Sequence, residues 1–262
     1  MLIRTISALI GAPLVLGLVY LGGAFTAFLV SVISIVALNE YLQIGAKMGI
    51  APWNRLVYPV AIVWLLTIFL GYTEWLFPIW IFWLLITMGA LALNYPKIQF
   101  PEALYNFLSV VYTVALLSHL YLLRTIPQGL EWTFFTLFLV WSTDTGAYLI
   151  GRAFGKRHLA PAVSPKKTVE GAIGGLLFAS VVSLILAKWI GGSSWVVFLL
   201  LGTIVGVSAQ IGDLFESALK RSAQVKDSGH LIPGHGGFLD RFDSLIFAIP
   251  LVYYGVVLGI VR

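Results

Sequence analysis

Nine long apolar stretches, separated by short polar segments, make up most of this chain. Each stretch is close to the roughly 17–25 residues that a helix needs to cross the hydrocarbon core of a bilayer. Charged residues form only 10% of the sequence, and an average soluble domain has about 25%, so too few are present to cover a water-facing surface. We therefore exclude a soluble globular protein, a disordered chain and a fibrous repeat. The stretches fall at residues 5–22, 25–45, 56–72, 75–93, 104–123, 132–151, 171–190, 195–212 and 244–261.

Fold class and orientation follow from these stretches and from the basic residues between them. Inside a bilayer every backbone polar group must be satisfied within the protein, which a continuous helix does within one segment. The sequence therefore predicts an all-α polytopic integral membrane protein with about nine transmembrane helices. If the nine spans alternate in direction, thirteen lysines and arginines fall on one side of the membrane, and only Arg124, Lys188 and Arg262 fall on the other. By the positive-inside rule, we expect a cytoplasmic N-terminus and a C-terminus on the opposite side.

Acidic residues are concentrated in the second half of the chain. All five aspartates lie between positions 144 and 243, while the glutamates before them are scattered singly. We expect a single membrane domain in which residues 1–131 form scaffold spans and residues 132–262 carry the active site. Two long cytoplasmic loops are predicted, near 152–170 and 213–243. Cysteine is absent, which excludes disulfides and thiolate metal ligands.

The first polar block places Asp144 inside the sixth stretch, and the segment Ser164-Pro-Lys166-Lys167-Thr168 just before the seventh. A carboxylate at that depth needs a metal, a basic partner or water, although a hydrogen bond between packed helices is an alternative. Two lysines, two hydroxyls and a helix N-terminus form a candidate anion site. A juxtamembrane anchor for acidic lipid headgroups is the alternative for this segment.

The second polar block contains three aspartates near a predicted membrane boundary. Asp213 is expected to end the eighth span, while Asp240 and Asp243 precede the ninth and share one face if that region is helical. The hairpin between these spans would bring Asp213 opposite them. Magnesium prefers a few carboxylate oxygens with open positions for water and phosphate, so these residues are candidate metal ligands. Glycines around His235 let the backbone approach a ligand closely, and the alternative is a solvated loop with incidental ion pairs.

Glu40 is an isolated acidic residue about one turn inside the cytoplasmic end of the second stretch. A buried carboxylate requires a partner, because charge is costly within the membrane. The sequence leaves two interpretations open: Glu40 faces the polar site of the second half, or it pairs at the interface with Lys47 or Arg55.

Taken together, the two polar blocks resemble the phosphatidate cytidylyltransferase family, the CDP-diacylglycerol synthases. The resemblance covers roughly residues 141–244 and includes Asp144 and the segment from Ser164 to Gly171. Its most specific part is a 27-residue signature with many fixed polar positions. The matching residues are Ser217, Lys220, Arg221, Lys226, Asp227, Gly229, Ile232, Pro233, His235, Gly236, Gly237, Asp240, Arg241 and Asp243.

This resemblance implies an activity and roles for individual residues. The reaction would transfer the CMP moiety of CTP to phosphatidic acid and release pyrophosphate, with Mg²⁺ and room for a second cation. Asp213 and Asp240, and after them Asp144 and Asp243, would bind the metal. The residues implied in catalysis are Lys166, Lys167, Lys220, Arg221 and Arg241. Those implied in binding the phosphates of CTP or phosphatidate are Ser164, Thr168, Lys226, Asp227, His235, Gly236 and Gly237.

Partners and alternatives complete the sequence-based expectations. We expect CTP, phosphatidic acid and membrane lipids as partners and no nucleic acid, with a homodimer left open through the aromatic-rich first spans. The expected location is a bacterial inner membrane, with the active site at its cytoplasmic face. One alternative is a CTP-dependent lipid kinase similar to polyprenol and dolichol kinases. The other is an ion-coupled transporter that uses Asp144, although such proteins usually show internal repeats.

Overall fold

The structure is a computed structural model that describes residues 2–192, 194–231 and 236–261, with side chains from residue 7 onward apart from that of residue 8. Among these residues the regular elements are helices and one two-stranded antiparallel hairpin. The helices are α1 Leu2–Leu21, α2 Gly23–Lys47, α3 Asn54–Phe69, α4 Leu76–Asn94, α5 Phe100–Val110, α6 Leu116–Thr125, α7 Gly129–Phe154, α8 Val169–Ile190, α9 Trp195–Ser222 and α10 Leu239–Val257. The hairpin strands are β1 His158–Ala160 and β2 Ser164–Thr168.

Each predicted apolar stretch overlaps a helical segment in the described part of the chain, although the stretches at 56–72 and 244–261 extend past the ends of α3 and α10. Helices α5 and α6 form one continuous segment through a π-helical turn at Val111–Ala115. Five segments are long and apolar enough to cross a membrane by length and composition, namely Gly23–Lys47, Thr73–Asn94, Phe100–Thr125, Val169–Ile190 and Trp195–Ser222. Shorter apolar helices lie at Leu9–Leu21 and Asn54–Phe69. These findings confirm an all-α polytopic membrane protein, while the exact number of spans and the orientation of the termini stay predictions.

Helix α9 is longer than the eighth predicted span. We expected the span to end at residue 212 and a loop to follow, and this boundary is wrong because the helix continues to Ser222. The segment beyond Asp213 is rich in Glu, Ala, Leu and Lys, which are strong helix formers. Asp213 and Lys220 therefore lie on a rigid helix, which fixes their separation along its axis.

The segment 152–170 contains the β-hairpin where we expected only a loop. Helix α7 ends at Phe154, and Glu170 then accepts backbone N–H hydrogen bonds from Lys156 at 3.0 Å and Arg157 at 3.2 Å. Strand β2 follows and leads without a break into α8, whose N-cap is Thr168. The hairpin thus fixes the basic segment of the first polar block between the ends of α7 and α8.

Close helix packing brings the two polar blocks together. A Cβ atom added at Gly175 of α8 would lie 2.8 Å from the carbonyl oxygen of Thr143 on α7, so the missing side chain allows the backbones to approach. Helices α9 and α10 also meet closely, since Ser208 Oγ donates to the carbonyl oxygen of Phe247 at 2.9 Å. At Gly212 the carbonyl group of Asp243 occupies the space that a side chain would need.

Candidate active site

A cavity of about 420 Å³ lies between α7, the hairpin, α8 and α9. It collects residues from both polar blocks, which the sequence separates by more than sixty positions between Asp144 and Asp213. Acidic groups come from α7 and α9, and basic groups come from β2 and the end of α7. The lining residues are Asp144, Ala147, Tyr148, Gly151, Arg152, Leu159, Lys166, Lys167, Thr168, Gly171, Ala172, Gln210, Asp213 and Leu214.

An ion pair between Lys167 and Asp213 crosses this cavity. Lys167 Nζ contacts Asp213 Oδ2, and both side chains are partly exposed. The charges of Asp144 and Asp213 repel each other, while Lys167 and Arg241 partly offset the charge on Asp144. Acidic and basic side chains therefore lie next to one another in the cavity. This arrangement suits a metal ion bound beside phosphate groups.

Most of the basic segment of the first polar block contributes to the lining of the cavity. Lys166, Lys167 and Thr168 all line it, while Ser164 begins β2 and is not among the lining residues. Thr168 Oγ1 accepts a hydrogen bond from the backbone N–H of Gly171 at 3.1 Å and so caps α8. Backbone donors at the first turn of a helix attract anions, so two lysines and a helix N-terminus point into one cavity.

Asp240 is surrounded by donors from the protein. Its Oδ1 lies 2.5 Å from Lys220 Nζ. Its Oδ2 accepts hydrogen bonds from Gly237 N at 2.8 Å and from Ser228 N and Oγ at 2.9 Å each. Both oxygens are thus engaged within the protein, so a metal at Asp240 would have to replace some of these contacts. The metal-binding role of Asp240 stays a prediction.

Asp243 lies close to the cavity residues but is itself buried. It is on the first turns of α10, 8% exposed, and Oδ1 accepts from Ser244 N at 2.6 Å. Its charge interacts with those of Asp213 and Asp144. The helical geometry expected for Asp240 and Asp243 is confirmed, and so is the approach of Asp213 to Asp243, which follows from the packing of α9 against α10.

Lys220 lies in the protein interior between two acidic groups. Its Nζ is 2.5 Å from Glu216 Oε2 and 2.5 Å from Asp240 Oδ1, and Glu216 is fully buried. These contacts favour a structural function for Lys220, and its contact with a substrate phosphate stays a prediction. Sequence reasoning did not consider Glu216, although its spacing of four residues from Lys220 is a recognisable helical ion pair.

Among the described residues, the remaining predicted site residues do not line the cavity. Arg221 donates to the backbone carbonyl groups of Val163 at 3.2 Å and Val225 at 2.9 Å, which connects α9 to the hairpin turn. Lys226, Asp227 and Arg241 are exposed, Gly236 is half-buried and Gly237 is buried. His235, together with Ile232 and Pro233 of the signature, lies outside the described residues. The phosphate-binding roles of this group stay predictions.

Two polar cavity residues, Arg152 and Gln210, were not singled out from the sequence. Tyr148 and Arg152 lie one helical turn apart on α7, and Arg152 Nη1 donates to Tyr148 Oη at 3.1 Å. Gln210 of α9 donates to the carbonyl oxygen of Ala172 at 3.1 Å. The signal for Arg152 was present as a basic residue two helical turns beyond Asp144, on a similar side of the helix.

The fit of a divalent metal can be judged from the donors. Within the described ranges 2–192, 194–231 and 236–261, no group of three or more His, Asp or Glu side chains is arranged to hold a metal ion. Mg²⁺ is commonly bound by one or two carboxylates together with substrate phosphates rather than by a complete protein cage. Asp144 and Asp213 provide two carboxylates in one cavity, so the donor set fits a magnesium ion shared with a phosphate-bearing substrate.

Glu40 contacts the loop before α10. Its carboxylate is 2% exposed and accepts hydrogen bonds from Phe238 N, Leu239 N and Ser228 Oγ. Of the two interpretations, contact with the polar segment of the second half agrees with these hydrogen bonds, although Glu40 does not line the cavity itself.

Comparison with known proteins agrees with this geometry. A model of the cytidylyltransferase family matches residues 2–258. A phosphatidate cytidylyltransferase of Staphylococcus epidermidis is 35% identical over 258 residues, covering 96% of this chain and 97% of the relative. Proteins of the same name from Staphylococcus haemolyticus and Staphylococcus aureus are each 34% identical, with the same coverage of both chains. Over nearly its whole length, then, the chain belongs to the cytidylyltransferase family.

Proposed function

We propose that this protein transfers the CMP moiety of CTP to phosphatidic acid and forms CDP-diacylglycerol and pyrophosphate. Relatives named phosphatidate cytidylyltransferase match this chain over 97% of their own length. The observation that carries the proposal is the cavity in which Asp144 and Asp213 face Lys166 and Lys167. Two polyanionic substrates can be brought together only where cationic groups neutralise their charge, and this cavity provides such groups next to carboxylates that suit a metal.

The position of the cavity agrees with one lipid substrate and one soluble substrate. Tyr148 and Phe154 of α7 and Leu177 of α8 are more than half exposed, as expected for a surface in contact with acyl chains. The basic hairpin lies at the end of the same helices. The headgroup of phosphatidate would then enter from the lipid beside α7 and α8, and CTP would enter from the aqueous side over the hairpin.

The chemistry requires positioning and charge neutralisation more than proton transfer. An oxygen of the phosphatidate phosphate attacks the α-phosphorus of CTP, a new P–O bond forms, and the bond to the bridging oxygen of the departing pyrophosphate breaks. The attacking phosphate is already an anion near neutral pH, so no general base is needed. Catalysis of this kind depends on alignment and on electrostatic stabilisation of developing charge.

Residues of the cavity have distinct roles in this proposal. Asp213 and Asp144 would hold Mg²⁺, which when bound neutralises phosphate oxygens and polarises the phosphorus centre. Lys167, which contacts Asp213, would move its contact to a phosphate of CTP. Lys166 and the N-terminal turn of α8 would bind the pyrophosphate portion. Arg152, next to Tyr148, would bind the headgroup of phosphatidate.

The aqueous side of the site is proposed to be cytoplasmic. The support is the distribution of thirteen basic residues on the side that carries the hairpin and only three on the other. Because the named relatives are bacterial, we place the protein in the cytoplasmic membrane of a bacterium. A homodimer stays a prediction from the aromatic-rich first spans.

Position-labelled CTP tests the reaction directly. The purified protein in detergent, supplied with Mg²⁺ and phosphatidate, is expected to move label from the α-phosphate of CTP into the lipid and label from the γ-phosphate into pyrophosphate. A lipid kinase would instead move only the γ-label into the lipid. Absence of lipid-bound α-label under these conditions would contradict the proposed function.

A further inference from the structure

We propose that Glu40 is a positioning residue for the reaction, although it lies on α2 in the half of the chain predicted as scaffold. It fixes the N-terminus of α10 and the loop before it, and thereby the first-turn residues Asp240 and Arg241. This inference rests on the proposed function only for its kinetic consequence. The proposed effect of Glu40 on the loop before α10 does not depend on that function, and hydrogen exchange measured without substrate tests it.

The N-terminus of α10 has no capping side chain of its own. The residue before the helix is Phe238, whose side chain has no oxygen to accept the free backbone N–H groups. The two carboxylate oxygens of Glu40, which is nearly two hundred residues away in sequence, are the acceptors for two of these N–H groups. Its Oε1 accepts from Phe238 N at 3.0 Å, and its Oε2 accepts from Leu239 N at 2.8 Å. Carboxylates are favourable at this end of a helix because of its dipole.

Ser228 connects Glu40 to Asp240. Its hydroxyl lies 3.0 Å from Glu40 Oε2 and 2.9 Å from Asp240 Oδ2, while its backbone N–H also donates to Asp240 Oδ2 at 2.9 Å. The hydroxyl has one proton and two carboxylate acceptors, so a change at Glu40 alters the hydrogen bonding of Asp240 directly. Asp240 in turn contacts Lys220, which extends the network to α9.

Two glycines of the signature make room for this carboxylate. A side chain at Gly229 or Gly237 would collide with the carboxyl group of Glu40. From the sequence we expected the glycines around His235, which include Gly237, to let the backbone approach a ligand. At Gly237, and likewise at Gly229, the group that the backbone approaches is Glu40.

Contacts with α5 hold helix α2 in place next to Glu40. The ring of Tyr41, next to Glu40, stacks on that of Tyr105 with centroids 4.4 Å apart, and Tyr105 Oη donates to the carbonyl oxygen of Tyr41 at 2.7 Å. Glu40 is not among the residues that line the cavity. It would therefore act through the loop and α10 and not by contact with substrate.

The variant Glu40→Gln tests this role with a minimal change in shape. An amide has one acceptor oxygen, so its NH₂ group would face one of the backbone donors that Glu40 now accepts. We expect the kcat of this variant to fall by about 100-fold, a typical consequence of a small misplacement of catalytic groups. Hydrogen exchange of residues 227–231 and 236–241, measured without substrate, is expected to increase. Glu102→Gln is the matched control, because Glu102 accepts a hydrogen bond from Trp53 Nε1 at 2.7 Å wholly within the first half.

A control variant and a double variant separate a positioning role of Glu40 from a general loss of protein stability. The Glu102→Gln control is expected to keep kcat within about twofold of the wild type and to leave exchange in this loop unchanged, because substitutions away from the features that dominate stability usually have small effects. Ser228→Ala removes one hydroxyl, and in the Glu40→Gln background it should reduce kcat less than it does alone, because both changes break one network. This variant also carries the test if Glu40→Gln does not fold.

Three results would overturn the proposal. They are unchanged loop exchange in folded Glu40→Gln, wild-type kcat in that variant or in Ser228→Ala, and strictly additive effects of the two changes. An inactive wild type would count against the proposed function, and increased loop exchange in Glu40→Gln would still support the structural role of Glu40.

Discussion

Replacement of Asp213 by asparagine is expected to abolish CMP transfer while the protein stays folded. Asp213 lies on α9 and lines the cavity together with Asp144, and it contacts Lys167 there. Asparagine keeps the size of the side chain and removes its charge, so one of the two proposed metal ligands is lost. We expect a decrease in kcat of roughly 1,000-fold, the upper range for losing one group that stabilises transition-state charge.

The measurement is lipid-bound label from α-labelled CTP, with thermal unfolding in detergent as the test of folding. Asp213 is partly exposed and is not buried in the core, so the unfolding temperature should change little. Glu74→Gln is a suitable control, because Glu74 is an exposed acidic residue in the turn before α4 and far in sequence from both polar blocks. Full activity of Asp213→Asn would remove Asp213 from the metal site.

Replacement of Lys220 by methionine is expected to reduce stability strongly. Lys220 compensates the charges of Glu216 and Asp240, which are almost completely inaccessible to solvent. Within the described part of the chain, neither oxygen of Glu216 accepts a well-oriented hydrogen bond, so its compensation is the charge of Lys220. Breaking a buried ion pair by removing one partner typically costs about 3–5 kcal/mol.

Unfolding of the detergent-solubilised protein measures this effect. Lys188→Met is the matched control, because Lys188 is exposed in the last turn of α8. The double variant Lys220→Met and Glu216→Gln should recover part of the loss, since it removes one of the uncompensated charges. If Lys220→Met instead had normal stability and lost only activity, the structural role would be wrong and the phosphate-binding role implied by the family would be favoured.

Local and pairwise features of this protein could be predicted from its sequence. The apolar stretches correspond to helices because backbone groups in lipid have few other ways to be satisfied. The approach of Asp213 to Asp243 was expected because Asp213 ends one predicted span and Asp243 precedes the next, at the same face of the membrane. The β-hairpin was missed because its strands are three and five residues long, too short for a periodic pattern to identify.

Long-range pairing could not be derived in the same way. The depth of Glu40 in an apolar helix indicated that it needs a partner, but its donors lie almost two hundred positions away and two of them are backbone N–H groups. Every residue except proline offers such a donor, so the sequence contains no specific signal for the choice. The same limit applies to Asp240. Its carboxylate suggested a metal ligand, but the structure shows that it accepts three hydrogen bonds from the loop before α10 and one from Lys220.

A cysteine reporter in the cavity tests most directly whether CTP binds there. The chain has no cysteine, so a single Ala172→Cys change on α8 gives one reactive thiol in the cavity lining, and Ala162→Cys in the exposed hairpin turn gives a control outside it. With CTP and Mg²⁺ at about ten times the dissociation constant, modification of Ala172→Cys by a charged thiol reagent should slow about tenfold. Modification of Ala162→Cys should proceed at the same rate with and without nucleotide. Equal rates for Ala172→Cys with and without CTP, in a variant that still transfers CMP, would contradict the placement of the active site in this cavity.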